Sequence, residues 1–181
     1  EGEEQADMRH EYVAGQVYAM AGAKLRHNQI AGNVYGLLWQ KTLGSHCQVL
    51  NSDMKVRVAA VDAFYYPDVV LRCGVPLSGE TLYLEDPCLI VEVMSASTEN
   101  VDRREKMQAY QSLPSLQEYV LVDSEKAVIE VFRRHPAGWW HELLNDPEND
   151  KACFQGVDLS FALADIYVGV NLPSALATGC P

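Results

Sequence analysis

The most informative segment of this chain is Leu89-Ile90-Val91-Glu92-Val93-Met94, in which Glu92 is the only residue that is not apolar. A strand that is apolar on both faces is typical of the centre of a sheet covered on each side. An ionised carboxylate in such a strand is costly to remove from water, so we expect Glu92 to be paired with a cation, protonated or bound to a metal ion. The segment therefore predicts a covered sheet with one unusual acid at its centre.

Further strands and helices are predicted before and after this segment in the sequence. Apolar residues at helical spacing predict one helix over residues 27–42, ending near Gly44, and another over residues 98–113. Strands in this order, interrupted by helices, describe an α/β fold with a mixed sheet flanked by helices. The other predictions are strands over residues 16–20, 48–58, 64–71, 118–123, 127–133 and 139–144, and a short final helix over residues 161–168.

The chain has 181 residues, a length typical of one domain. We predict a single domain over residues 1–181, with a peripheral arm at residues 1–10 and a peripheral tail at residues 170–181. The acid-rich residues 1–15 are interpreted as a helix remnant or a solvated arm that leads into a turn at Ala14-Gly15. With 48% hydrophobic and 22% charged residues, the composition excludes a disordered chain. The apolar runs are too short to cross a membrane.

The five cysteines are far apart and form no C-x-x-C pair. This pattern predicts neither a disulfide framework nor a thiolate zinc site. It favours a reducing, cytoplasmic location.

The formal net charge is −11, because 25 acidic residues outnumber 14 basic ones. A field of this sign opposes binding to DNA or to an anionic membrane. The acidity is not uniform, since residues 24–72 carry six basic and three acidic side chains. If the protein binds DNA, we therefore expect the binding to be weak, salt-sensitive and metal-dependent unless a partner or a second subunit supplies positive surface.

Two more residues are candidates for chemistry alongside Glu92. Asp68 lies in the predicted strand 64–71, and if the two strands are neighbours, Asp68 and Glu92 converge as oxygen ligands for a hard cation such as Mg²⁺. Lys106 lies on the inward stripe of the predicted helix 98–113, four residues after Asp102. Lys106 either reaches the two carboxylates or forms a structural ion pair with Asp102. Asp68 and Glu92 also have a structural interpretation, in which one is a partly solvated strand end and the other an ion-pair partner.

These residues resemble a nuclease pattern. Pro67-Asp68, followed by Glu92-Val93-Met94, resembles the PD-(D/E)XK nucleases, with Met94 at the position of the motif lysine. A longer set resembles the Uma-two family of putative restriction endonucleases, in which the lysine is displaced to the following helix, where Lys106 lies. That set comprises the segment from Ile90 to Thr98, then Asp102, Lys106, Tyr110 and the segment from Glu118 to Asp123, together with an opening pattern of Glu11, Gly15 and His27.

The resemblance implies a restriction endonuclease-like fold and a metal-dependent endonuclease that hydrolyses DNA. Asp68, Glu92 and the backbone carbonyl of Val93 would then hold Mg²⁺, with Mn²⁺ as a substitute, and Glu11 would be a further acid of the catalytic set. Lys106 would orient the attacking water or stabilise charge on the phosphate. A homodimer or a higher homo-oligomer is expected for a nuclease that cuts two strands.

A second hypothesis is a catalytically silent member of this fold that acts as a binding or assembly module. Met94 at the motif lysine position and the net charge of −11 favour it. A thiol or histidine hydrolase is disfavoured because no Ser or Cys lies in a nucleophile-elbow context. We interpret His27 as a polar helix cap or surface residue, and the pairs Arg103-Arg104 and Arg133-Arg134 as phosphate contacts or ordinary surface charge.

Overall fold

A computed structural model describes residues 8–20, 22–95 and 98–173 of the chain. None of the helices in these ranges is both long enough and apolar enough to span a bilayer. The strands are β1 His10–Val13, β2 Gln16–Ala19, β3 Cys47–Asn51, β4 Lys55–Val58, β5 Ala63–Tyr65, β6 Val69–Cys73, β7 Tyr83–Leu84, β8 Leu89–Met94, β9 Glu118–Asp123, β10 Ile129–His135, β11 Gly138–Leu144, β12 Lys151–Phe154 and β13 Leu159–Ala162. The α-helices are α1 Leu25–Thr42, α2 Met107–Gln111 and α3 Leu163–Ile166, and a π-helical segment covers Val101–Lys106.

The centre of the fold is a six-stranded sheet in the order β11-β10-β9-β8-β6-β3. Strands β8 and β9 are parallel, whereas the other neighbours are antiparallel. All six residues of β8 are buried. The predictions of a central strand at residues 89–94 and of a mixed α/β sheet are therefore confirmed.

The two faces of β8 pack against different layers. Leu89, Val91 and Val93 share a hydrophobic cluster with α1, whereas Ile90 and Met94 share one with α2 and a second sheet. Because side chains alternate along a strand, Glu92 faces the same layer as Ile90 and Met94. The second sheet has five strands in the order β2-β1-β5-β4-β7. One face is thus covered largely by strands, where the sequence predicted helices.

The predicted helix over residues 98–113 is present, but its middle turns are π-helical over Val101–Lys106. Within this segment both Asp102 and Lys106 are buried. The Tyr119 hydroxyl donates a hydrogen bond of 2.9 Å to the Asp102 carbonyl and so ties the segment to β9. A π-helical turn inside a helix is uncommon and frequently marks a functional position.

Two predicted strands are each divided in the structure. The predicted strand over residues 48–58 is divided between β3 and β4, and the predicted strand over residues 64–71 is divided between β5 and β6. In each case the two strands belong to different sheets. Pro67 lies between β5 and β6. Proline has no backbone N–H, so it cannot donate a hydrogen bond to a neighbouring strand at this position. Asp68 therefore lies in the crossing between the layers, and the prediction that it lies inside a strand is wrong.

The ends of the chain also differ from the predictions. Residues 10–13, assigned to the acidic arm, form β1, which pairs with β2 through a turn in which Ala14 and Gly15 have positive φ. Residues 159–162 form β13, paired with the unpredicted β12, so that only α3 is helical within the predicted final helix. The remaining predicted strands correspond to β2, β9, β10 and β11. Residues 1–7 of the arm and residues 174–181 of the tail lie outside the described residues.

The structure contains a disulfide that the cysteine spacing did not predict. Cys47 and Cys73 are directly opposite each other in the β3–β6 pair, and their sulfurs are bonded. They are 26 residues apart in the sequence, so only the pairing of the two strands brings them together. The prediction of no disulfide is therefore wrong for this pair.

The long connection after β6 is anchored by the buried Arg72. Its guanidinium donates to the Asp86 carboxylate at 2.9 and 3.1 Å and to the Val75 carbonyl at 2.9 Å. The hydrogen bond from Arg72 lowers the pKa of Asp86 below its usual value. Strand β7, within the same connection, pairs with β4 in the second sheet. The connection therefore joins the two sheets.

We expect Asp86→Asn to destabilise the protein at neutral pH by about 0.5 to 1 kcal/mol, a modest loss because half of the Asp86 side chain is exposed and the pair is screened. A carboxyl with a lowered pKa contributes stability above its unfolded pKa, and that contribution is lost as the pH falls through the folded pKa. In urea unfolding, the difference from wild type should therefore shrink between pH 7 and pH 3. Asp53→Asn, at a more exposed pair with Arg9, is the control. An equal loss of stability for Asp86→Asn at pH 7 and pH 3 would contradict a stabilising ion pair between Arg72 and ionised Asp86.

Candidate active site

Glu92 is compensated by two donors from the helical region that follows β8. Its Oε1 accepts a hydrogen bond from the Tyr110 hydroxyl at 3.1 Å and one from Lys106 Nζ at 3.2 Å. Burial raises the pKa of Glu92 well above its usual value, the charge of Lys106 opposes this, and nearby carboxylates reinforce it. The central acid is thus held by a cation and a hydroxyl, but in an environment that disfavours its charge.

Lys106 is the common partner of three carboxylates. Its Nζ lies 3.0 Å from Glu11 Oε1, 3.2 Å from Glu92 Oε1 and 3.4 Å from Asp102 Oδ1. Burial alone would lower the pKa of Lys106, but the three carboxylates outweigh burial and raise it. Lys106 is therefore a permanent cation at neutral pH that donates hydrogen bonds and does not act as a base.

The three acids around Lys106 come from three different elements. Glu92 is on β8, Asp102 is in the π-helical segment one turn before Lys106, and Glu11 is on β1 of the second sheet. Glu11 Oε1 also accepts a hydrogen bond of 3.2 Å from the Tyr66 backbone N–H, next to the crossing between the sheets. The cluster thus exists only when both sheets and the helical region are assembled.

Asp68 joins the site from the crossing between β5 and β6, immediately before β6. Its Oδ2 accepts a hydrogen bond of 2.7 Å from the Val93 backbone N–H and lies 3.3 Å from His27 Nε2. Burial alone would lower the pKa of His27, but the hydrogen bond and charge of Asp68, with a hydrogen bond to the Val93 backbone, raise it. These contacts fix the carboxylate of Asp68 beside the strand that carries Glu92.

His27 belongs to the opening pattern of the family resemblance, but the sequence did not place it in the site, where it contacts Asp68. It lies in the first turn of α1, and its side chain is only 17% exposed. The interpretation of His27 as a surface residue is therefore wrong. Its place at the start of a helix that packs on the central sheet was visible in the sequence, but its pairing with Asp68 depends on the crossing near Pro67.

The structure brings Glu11, Glu92 and Lys106 into direct contact and holds Asp68 one residue along β8, at the Val93 backbone. Carboxylate and carbonyl oxygens are the ligands that Mg²⁺ prefers, so Asp68, Glu92 and the Val93 carbonyl fit a hard cation by chemistry. The acids converge on Lys106, and any cation would share Glu92 with it.

Most of the arginines that were candidates for phosphate contacts bind other groups of the protein. Arg103 pairs with Glu99 and Glu130, and Arg133 pairs with Glu118 and Glu142. Arg134 donates to three backbone carbonyls and lies over the Trp139 ring. Arg104 is exposed. Of the four arginines, Arg104 is the one available for an external phosphate.

We expect Lys106→Met to destabilise the protein at pH 7 by about 3 to 5 kcal/mol, because it leaves buried carboxylates without their cation. The loss should shrink as the pH is lowered, since protonation removes the unpaired charges. Urea unfolding measures both effects. Lys126→Met, at an exposed lysine, is the control. A neutral Lys106→Met at pH 7 would show that the lysine does not compensate the acids.

The mixed central sheet, with Glu92 on its middle strand β8 and Asp68 beside that strand, is typical of a restriction endonuclease-like fold. It superimposes with a TM-score of 0.74 and 13% identity on a crystal structure described as a putative nuclease belonging to DUF820 from Anabaena variabilis ATCC 29413, covering 90% of this chain and 91% of that one. Residues 1–163 match the family Uma2, described as putative restriction endonuclease, and this protein belongs to that family. The predicted resemblance is confirmed.

Two relatives come from Synechocystis sp., and both are described as uncharacterized proteins. One is 35% identical over 168 residues, covering 93% of this chain and 88% of the relative. The other is 32% identical over 123 residues, covering 67% of this chain and 70% of the relative.

Proposed function

We propose that this protein is a metal-dependent endonuclease that hydrolyses phosphodiester bonds in DNA. The observation that carries the proposal is the buried contact of Lys106 with Glu11, Glu92 and Asp102, beside the fixed carboxylate of Asp68. Buried ion clusters are often replaceable by apolar residues without loss of stability, so stability alone does not account for this cluster, and a role in chemistry is favoured. The nuclease family and the nuclease structural neighbour support the same conclusion.

Asp68, Glu92 and the Val93 carbonyl would hold Mg²⁺, or Mn²⁺ in its place, with Glu11 as a further acid. When bound, such an ion polarises a phosphoryl oxygen and lowers the pKa of its water. Asp68 is oriented for this role by the Val93 N–H and by His27. The Tyr110 hydroxyl donates to Glu92 Oε1, the same oxygen that Lys106 contacts.

Lys106 supplies the positive charge that the motif lysine gives in related nucleases. Its raised pKa keeps it protonated, so it can donate to a phosphate oxygen or orient the attacking water. Met94, at the motif lysine position, is buried against the second sheet and contributes apolar packing. A methionine at the motif lysine position is therefore compatible with activity, because Lys106 reaches Glu92 from the helical region.

We further propose DNA as the substrate and a homodimer as the form that cuts both strands. With a net charge of −11, the protein should bind DNA weakly and lose binding as salt rises. Arg104 is an exposed basic residue two positions before Lys106 and is a candidate contact to the substrate backbone. The cytoplasmic location stays a prediction.

Cleavage of supercoiled plasmid with Mg²⁺ or Mn²⁺ tests the activity. We expect Glu92→Gln and Lys106→Met to lower the nicking rate at least about 100-fold, the usual cost of removing one preorganised electrostatic group. Glu92→Gln keeps the volume and can still accept from Tyr110, so its loss does not depend on unfolding. Glu142→Gln changes a half-exposed carboxylate on the edge strand β11 and is the matched control. No nicking by wild type with either metal, or equal nicking by Glu92→Gln, would refute the proposal.

The silent-module hypothesis is separated by calorimetry with Mn²⁺. A nuclease site should bind the ion, and Asp68→Asn should weaken binding at least about tenfold because it removes one charged ligand, whereas Glu142→Gln should not. Absence of metal binding at millimolar concentration would favour the silent module.

A further inference from the structure

A second cluster of chemically active side chains lies at one end of three neighbouring strands. Cys47 begins β3, Cys73 ends β6 and Cys88 immediately precedes β8. His46 immediately precedes Cys47. Because β3, β6 and β8 are adjacent in the central sheet, Cys47, Cys73 and Cys88 lie at the same end of it although they are distant in the sequence.

The ligand atoms of this cluster are close together. The imidazole of His46 and the sulfurs of Cys47 and Cys73, which form the disulfide in this structure, lie within 4.8 Å of one another. Within the described ranges they are the only compact group of three histidine, cysteine or acidic side chains. The Cys88 sulfur lies 3.8 Å from that of Cys73. The three cysteines are partly buried and His46 is exposed, so an ion can enter from solvent.

The backbone around the cluster is fixed by hydrogen bonds. The Gly74 N–H donates to the His46 carbonyl at 3.0 Å, which joins the ends of β3 and β6. The Cys88 N–H donates to the Leu71 carbonyl at 2.8 Å, and its thiol lies 3.3 Å from the same oxygen. The residues are thus held by the rigid central sheet.

The cluster is distinct from the proposed nuclease site. Cys73 and Asp68 are separated by the whole of β6, and Glu92 follows Cys88 by four residues along β8. At about 3.3 Å per residue, these separations are roughly 13 to 16 Å. The two sites also differ in donor type, because one offers oxygen and the other sulfur and imidazole.

Three thiolates and one imidazole are a donor set that selects Zn²⁺. Sulfurs bound about 2.3 Å from a tetrahedral zinc ion lie about 3.8 Å apart, which is the separation of the Cys73 and Cys88 sulfurs. This donor set could not be predicted from the sequence, because the ligands come from three segments without a C-x-x-C pair.

We propose that the reduced form of this protein binds one Zn²⁺ ion through His46, Cys47, Cys73 and Cys88. Reduction requires a dithiol or phosphine reductant, which supplies two electrons while Cys47 and Cys73 each gain a proton. Each thiol that then binds zinc releases its proton to solvent. Zinc would tie the edge strand β3 to β6 and β8, and it excludes the Cys47–Cys73 disulfide.

Titration of the reduced full-length protein with Co²⁺, under anaerobic conditions, tests the proposal. We expect one equivalent of Co²⁺ to give a thiolate-to-cobalt charge-transfer band that Zn²⁺ removes. His46→Ala and Cys88→Ser should weaken Co²⁺ binding at least about tenfold, whereas Cys153→Ser, at an exposed cysteine outside the cluster, should not. His46 is exposed, so its loss should leave the fold intact.

Glu92→Gln should leave the charge-transfer band unchanged, which separates this site from the proposed nuclease site. The oxidised protein should show no band. Absence of the band in reduced wild type, or an equal loss in Cys153→Ser, would overturn the proposal.

Discussion

The contact on which the candidate site depends is that of the Lys106 ammonium with the carboxylates of Glu11, Glu92 and Asp102. None of these charges could be buried alone without a large desolvation cost. The three acids come from the second sheet, the central strand and the π-helical segment, so the cluster forms only when these elements pack together. The same requirement fixes where β1 and the helical region lie relative to β8.

The central sheet offers different chemistry at its two ends. Near Glu92 and the Val93 backbone, where Asp68 is held by β8 and α1, the donors are oxygens suited to a hard cation. At the opposite end of β6, Cys73 lies among sulfur and imidazole donors. One rigid sheet can therefore present two sites whose ligand preferences do not overlap.

The sequence predicted the features that follow from local pattern. The apolar run of β8 gave the central strand and its unusual acid, and helical spacing placed Lys106 inward. The chain crossing near Pro67, the π-helical turns and the pairing of Asp68 with His27 were not predicted, because they depend on contacts between distant segments. Glu11 entered only through the family resemblance, since nothing local indicates that β1 lies opposite β8.

We propose that Asp68 and Glu92, beside the Lys106 cluster, hold a divalent cation. Diffraction data collected at the manganese absorption edge from a crystal soaked in Mn²⁺ would show whether the ion binds there. We expect one anomalous peak at coordination distance from the carboxylates of Asp68 and Glu92, with Lys106 still next to Glu92. Full Mn²⁺ occupancy at exposed acids with no peak between Asp68 and Glu92 would contradict it.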